Sequence, residues 1–186
     1  MEPLEALQGS VGEFDRRVAA IGSDQWDAST PCPDWTVRDL VNHLVAEDLW
    51  APPLLAGSTL EDVGDQFEGD LVGDDPKQAW ETARLGILAA VKPEVLGGTV
   101  HTSMGEIPAA EYVFQLCSDH LVHAWDLARA IGRDERLAPR LVEHCYDMAR
   151  PYEQMMKDSG DFGETITPEP DASTQDKLLA LFGRRP

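Results

Sequence analysis

The sequence predicts an all-α fold, and three observations carry that prediction. Apolar residues recur at steps of three and four along most of the chain, two Ser/Thr-x-x-Asp boxes mark helix starts, and only one short stretch reads as strand. The 186 residues are 42% hydrophobic and 26% charged, a length and mixture that suit a folded globular chain, so a single domain over 1–186 is expected.

Leu4, Leu7, Val11, Phe14, Val18 and Ile21 draw one apolar stripe and predict the first helix. Pro31-Cys32-Pro33-Asp34-Trp35 reads as a rigid loop, after which Thr36 and Asp39 form a capping box and Trp35 can staple onto Leu40. The second helix therefore starts near Thr36 and runs through Val37, Leu40, Val41, Leu44 and Val45 to about Trp50, with Pro52-Pro53 as its stop. Residues 56–75 carry Glu61, Asp62, Asp65, Glu68, Asp70, Asp74 and Asp75 among glycines, a solvated connection with room for a short helical turn.

Trp80, Arg84, Ile87 and Val91 set the register of the third helix, which Pro93 ends. The turn-rich stretch from Gly97 to Ile107 predicts a small hairpin. Pro108 then suits the first turn of a long fourth helix to about Ile131, capped by Gly132. Phe114, Leu121 and Trp125 cover one side of it and Tyr112, Leu116, Leu127 and Ala130 another, so this helix is expected to be central and largely buried. Leu141, Cys145, Met148, Tyr152 and Met155 predict a fifth helix. Ser173 and Asp176 box the start of a short last one, which holds Leu178, Leu179, Leu181 and Phe182 and closes at Gly183.

The formal net charge is −19, from 34 acids against 15 bases, a field that repels phosphate backbones and anionic headgroups. Nucleic acid and membranes are therefore not expected as partners. No apolar run is long enough to span a bilayer and Met1-Glu2-Pro3 opens no signal peptide, so a cytoplasmic location is expected. Cys32, Cys117 and Cys145 lie far apart without a C-x-x-C pair, which leaves neither a disulfide framework nor a thiolate zinc knuckle.

Chemistry concentrates between Cys117 and Ala130. At 100° per residue Asp119 and His123 fall within about 40° of each other and project side by side into the core. A buried carboxylate beside a buried imidazole needs a partner: the two form either a hydrogen-bonded pair or half of a cation site. His43, the histidine of the second helix, lies between Leu40 and Trp50 on the helical wheel with Glu47 beside it, and is the candidate third ligand. Glu47 either orients His43 or is exposed. His120 stands about 60° round from His123 and reads as packing or hydrogen-bonding nearby. His101 and His144 read as ordinary. Asp126 and Arg129 are spaced to pair along the helix, with support of the site's ligands as the alternative, Cys32 has no base near it in sequence, and Trp35 and Trp125 read as core. Neither Glu-x-x-His on two helices nor H-E-x-x-H is present, which excludes di-iron bundles and zincins, and there is no glycine-rich phosphate loop.

Three segments form one pattern: Thr30-Pro31-Cys32-Pro33-Asp34-Trp35-Thr36-Val37-Arg38-Asp39-Leu40-Val41-Asn42-His43-Leu44; Asp119-x-x-x-His123-x-Trp125-Asp126-Leu127-Ala128; and Asp176-Lys177-Leu178-Leu179-Ala180-Leu181-Phe182-Gly183-Arg184. Together they resemble the DinB-like metal-binding domains related to mycothiol-dependent maleylpyruvate isomerase, in the branch of small stand-alone members with a WDLA motif. The resemblance implies an up-and-down four-helix bundle with a metal at one end. It assigns His43, Asp119 and His123 as ligands of one divalent ion, with coordination positions left open. The isomerase pattern has glutamate where this chain has Asp119, and the isomerase's extra C-terminal domain has no counterpart in this sequence.

The implied ion is zinc, with nickel, manganese and iron as the other candidates, and mycothiol or a similar small thiol is the implied cosubstrate. Metal coordination would supply the thiolate of a group whose ordinary pKa is about 8.5. The function expected is a metal-dependent thiol transferase or isomerase acting on a small electrophile, and a homodimer is compatible with the family. The alternative is a non-catalytic metal-dependent binding or stress-related module, which would bind the ion without thiol-dependent turnover.

Overall fold

A computed structural model describes residues 1–103, 105–159 and 166–186. Four long helices make an up-and-down bundle: α1 (Pro3–Ala19), α2 (Val37–Leu55), α4 (Pro76–Ala90) and α5 (Ala109–Ala130), with a single-turn α3 (Leu60–Val63) between the second and third of them. α1 lies along α5, and α2 lies along α4 and touches α5. The apolar stripe read from the sequence is the buried face of α1, with Leu7, Val11, Phe14 and Val18 almost fully enclosed. Phe14 meets Trp80 of α4 edge-on, with ring centroids 4.8 Å apart.

The loop before α2 is tightly bonded. Thr30 N–H donates to the Trp35 carbonyl at 3.0 Å, and Trp35 N–H donates to the Cys32 carbonyl at 3.2 Å. Pro33 stands at the first central position of that four-residue turn and Asp34 at the second with φ 64°, the pattern of a type II turn. The bonds point the Cys32 and Trp35 side chains to the bundle side of the loop, where one is buried and the other half-buried. The capping box at Thr36 and Asp39 then starts α2 as expected.

α2 does not stop near Trp50. It continues through Pro52 and Pro53 to Leu55. A proline deprives only the carbonyl four residues back of its donor. Both prolines sit in the last turn, where the Ala56 N–H still reaches the Pro52 and Pro53 carbonyls. Burial of Ala51, Leu54 and Leu55 outweighs the two lost bonds. The acidic connection that follows is anchored to α2: Arg38 pairs with Asp70 at 2.9 Å, and Asn42 bonds both the Gly69 carbonyl and the Leu71 N–H. A capping box at Thr59 and Asp62 begins α3.

The predicted hairpin is present as β1 (Thr99–Thr102) and β2 (Gly105–Pro108), antiparallel with Val100 opposite Ile107; Met104 lies outside the described residues. α5 is buried almost all round and ends where Gly132 takes φ 65°. The predicted fifth helix is two helices, α6 (Pro139–Ala149) and α7 (Glu153–Ser159), separated by a 3-10 turn over Arg150–Tyr152. Pro151 has no N–H to continue the ladder, and Met148, Tyr152 and Met155 are exposed, so no burial compensates the break.

α8 (Thr174–Leu181) packs on α6 and starts at the expected Ser173–Asp176 box. Gly183 takes φ 74°, with its N–H on the Ala180 carbonyl and the Arg184 N–H on the Leu179 carbonyl, a Schellman turn. That turn sends Arg184 back toward the bundle. Among the described residues no helix is long and apolar enough to cross a membrane.

Candidate metal centre

Near the start of α2 and the middle of α5, three side chains converge. His43 Nε2 lies 3.0 Å from Asp119 Oδ2, and His123 Nε2 lies 3.3 Å from Asp119 Oδ1. One donor atom from each of the three falls within 4.8 Å of the others, a spread that one ion can bridge. Asp119 thus divides its two oxygens between two imidazoles, one from each helix.

Exposure grades across the cluster. The His123 side chain is 7% exposed, His43 28% and Asp119 35%. His123 forms the floor, and the His43 and Asp119 rim opens to solvent. Trp35 closes one side, with ring centroids 5.0 Å from His43 and 5.9 Å from His123. It is half-buried and packs against the core, as expected, and its ring also forms a wall of the site.

Burial disfavours the charged forms of Asp119 and His123, but their mutual attraction is stronger. The His123 and His43 contacts hold the Asp119 carboxyl well below its ordinary value despite burial. Burial pulls the His123 pKa down, whereas Asp119, Asp126 and Cys32 together push it well above the ordinary histidine value. Two imidazoles and one carboxylate form a donor set used by zinc sites that keep an open position, and also by non-haem iron. The donor chemistry therefore fits a divalent cation.

The far side of His123 is occupied as well. Its Nδ1 lies 2.9 Å from Asp126 Oδ2, and Arg184 Nη2 approaches the same oxygen at 2.8 Å. Cys32 Sγ lies 3.4 Å from that oxygen and 3.8 Å from Nδ1. Asp126 is wholly buried; burial raises its pKa, but the bond to His123 and the Arg184 charge bring it below the usual value. The expected pairing of Asp126 with Arg129 is not formed. Asp126 points inward, while Arg129 lies over the Trp125 ring at 4.1 Å and pairs with Glu135 at 2.7 Å.

One turn further in, His120 and Asp48 face each other 3.1 Å apart, both side chains fully buried. His120 Nδ1 lies 2.7 Å from the Leu116 carbonyl, so this histidine bonds locally, as the sequence indicated, and stays away from the cluster. Glu47, one turn after His43 on α2, is half-buried, and burial followed by the Asp119 charge raises its pKa. Among the described residues it makes no hydrogen bond to His43. His101 lies in β1, and His144 packs edge-on against Phe114.

Sequence reasoning found the three converging donors and missed Cys32, Trp35 and Arg184. Cys32 and Arg184 stand 91 and 61 positions from His123 in the numbering. Their one sequence signal was membership of the two motifs that flank the DinB-like pattern.

A four-helix bundle with a His-Asp-His cluster held between two of its helices defines the class, a DinB-like protein. The profile of the mycothiol maleylpyruvate isomerase N-terminal domain matches residues 7–128, and the chain belongs to that family. Two uncharacterized proteins, from two strains of Mycobacterium tuberculosis, are each 31% identical over 154 residues, which is 81% of this chain and 79% of theirs. The crystal structure of the mycothiol-dependent maleylpyruvate isomerase has a similar fold, with TM-score 0.65 and 15% identity over 86% of this chain and 71% of that one. A histidine-to-alanine variant of that enzyme gives TM-score 0.66 at 14% identity with the same coverage.

Proposed function

We propose that this protein binds one divalent ion, zinc the best fit, through His43, Asp119 and His123, and uses it in a transferase or isomerase reaction of a mycothiol-type thiol with a small electrophile. The observation that carries this reading is the meeting of three donor atoms within 4.8 Å beside a solvent-open rim. When bound, the ion would stabilise a thiolate at neutral pH, where a free thiol with a pKa of about 8.5 is mostly protonated.

The chain supplies the rest. His123, gripped at both ring nitrogens, fixes the floor of the site. Asp119 contributes the one negative charge among the three ligands, so a divalent ion would keep a net positive charge to attract an anionic sulfur. Trp35 excludes water from one side and offers an apolar face to a bound substrate. Family membership supports a small thiol as partner, and the acidic surface disfavours nucleic acid.

Elemental analysis of the purified protein beside His43→Ala and His123→Ala variants tests the ligand set. One equivalent of metal in the parent and strong loss in both variants is the expected result. Thiols added to a cobalt-substituted sample should then change its visible spectrum. An unchanged spectrum, with the metal tightly held, would end the thiol reading and favour a non-catalytic metal-dependent module.

A further inference from the structure

Asp126 Oδ2 is the meeting point of four donors. His123 Nδ1 lies at 2.9 Å, Arg184 Nη2 at 2.8 Å, Arg184 Nε at 3.2 Å and Cys32 Sγ at 3.4 Å. A carboxylate oxygen only accepts, so a bare Nδ1 would set two lone pairs against each other in a buried place. Nδ1 therefore carries a proton whether or not an ion is bound, which leaves Nε2, the atom facing Asp119, as the nitrogen an ion would take.

Asp126 carries a full charge inside α5 with no exposed side-chain surface, and a buried carboxylate without a counter-charge is costly. Arg184 is that counter-charge, and it comes from 58 positions further along the chain. The Schellman turn at Gly183 delivers it, and its Nη1 bonds the Phe182 carbonyl at 2.6 Å. Its Nη2 also reaches Cys32 Sγ at 3.5 Å. Cys32, His123 and Asp126 by themselves have the spacing of a cation site, with donor atoms within 4.8 Å of one another. The guanidinium already fills the position facing two of those three donors.

We propose that Arg184 is a positioning residue of the centre, acting in two ways. Through Asp126 it holds His123 with Nδ1 protonated, so that Nε2 is aimed at the space shared with His43 and Asp119. Its guanidinium also keeps a second, thiophilic cation out of the Cys32–His123–Asp126 group, so that His123 serves one ion only. This inference rests on the metal reading above and adds the residues that give the centre its orientation and its stoichiometry.

The test compares cobalt(II) and zinc(II) binding to the full chain carrying Arg184, Arg184→Met or Arg184→Lys, with chelator competition for affinity and circular dichroism for folding. The parent is expected to bind one equivalent of cobalt without a thiolate-to-cobalt charge-transfer band. Arg184→Met should bind zinc about 10- to 100-fold more weakly and show that band as Cys32 joins the ligands. Arg184→Lys, which restores the charge, should recover most of the affinity. Arg184→Met with parental affinity, one equivalent of metal and no thiolate band would overturn the positioning role while leaving the metal reading intact. A parent that binds no ion would remove both.

A second measurement needs no variant. Nitrogen-15 spectra of the histidine-labelled, zinc-loaded parent should show His123 protonated at Nδ1, and a proton on Nε2 with metal at Nδ1 would overturn the inference even if Arg184→Met does not fold.

Discussion

Trp35 lies nearly parallel to the His123 imidazole, 5.9 Å between centroids and 25° between planes, and the same indole tilts against His43 at 5.0 Å. Any change of charge on those two rings is therefore felt by one fluorophore. Zinc titration is expected to change the intrinsic emission, and most of the change should vanish in Trp35→Phe. A change of equal size in that variant would place its origin at another tryptophan.

Binding of the proposed ion would be linked to stability. An ion that binds only the folded chain, supplied at one hundred times its Kd, adds about 2.7 kcal/mol, which for a chain of this size raises Tm by about 5–10 °C. Chelation should reverse the rise. His43→Ala should abolish it while leaving the metal-free Tm close to that of the parent, because a partly exposed polar pair contributes about 0–1 kcal/mol. A metal-dependent Tm shift that survives in His43→Ala would remove His43 from the ligand set.

The cap of α2 carries a pH signature. The Thr36 side chain and backbone hold the Asp39 carboxyl below its ordinary pKa. A depressed carboxylate contributes stability above its unfolded value of about 3.9 and loses it as pH falls through the folded value. Thr36→Ala should therefore cost about 1 kcal/mol at pH 7. The gap between variant and parent should narrow below about pH 4. Urea midpoints measured across that range give the comparison, and a gap independent of pH would contradict the Asp39 linkage.

Behind the centre, the fully buried Asp48 and His120 compensate each other. Burial lowers the His120 pKa, but the Asp48 charge and the bonds to Asp48 and Leu116 raise it above the ordinary value. Removing one partner strands the other: Asp48→Ala should cost about 3–5 kcal/mol. In the Asp48→Ala/His120→Ala double variant the loss should fall short of the two single losses combined by about 1 kcal/mol or more. Additive losses in chemical denaturation would show that the two groups do not stabilise each other.

The bundle was legible because its signals are local. The stripe of α1, the boxes at Thr36 and Ser173 and the glycine stops at Gly132 and Gly183 each act within a few residues. The two misread boundaries both involve proline. Pro52 and Pro53 lie beside leucines that gain burial, whereas Pro151 lies beside side chains that remain in solvent. The helix survives in one case and breaks in the other, a difference set by tertiary packing. The donors Asp119 and His123 could be seen because one helical turn joins them, and His43 because it is the histidine of its helix. Arg184 and Cys32 reach the Asp126–His123 pair only through the return of the last helix and the fold of the Cys32–Trp35 turn, and pattern spacing does not encode such closures.

The His123 ring is held at both nitrogens and covered on a face, while His43 and Asp119 stand at the open edge with one carboxylate between them. Compliance in the centre is therefore lopsided. Cations of different ionic radius would be accommodated by rotation of the Asp119 carboxylate and small displacements of α2, with α5 as the fixed reference. A series of crystal structures with ions of graded size should show His43 moving and His123 still.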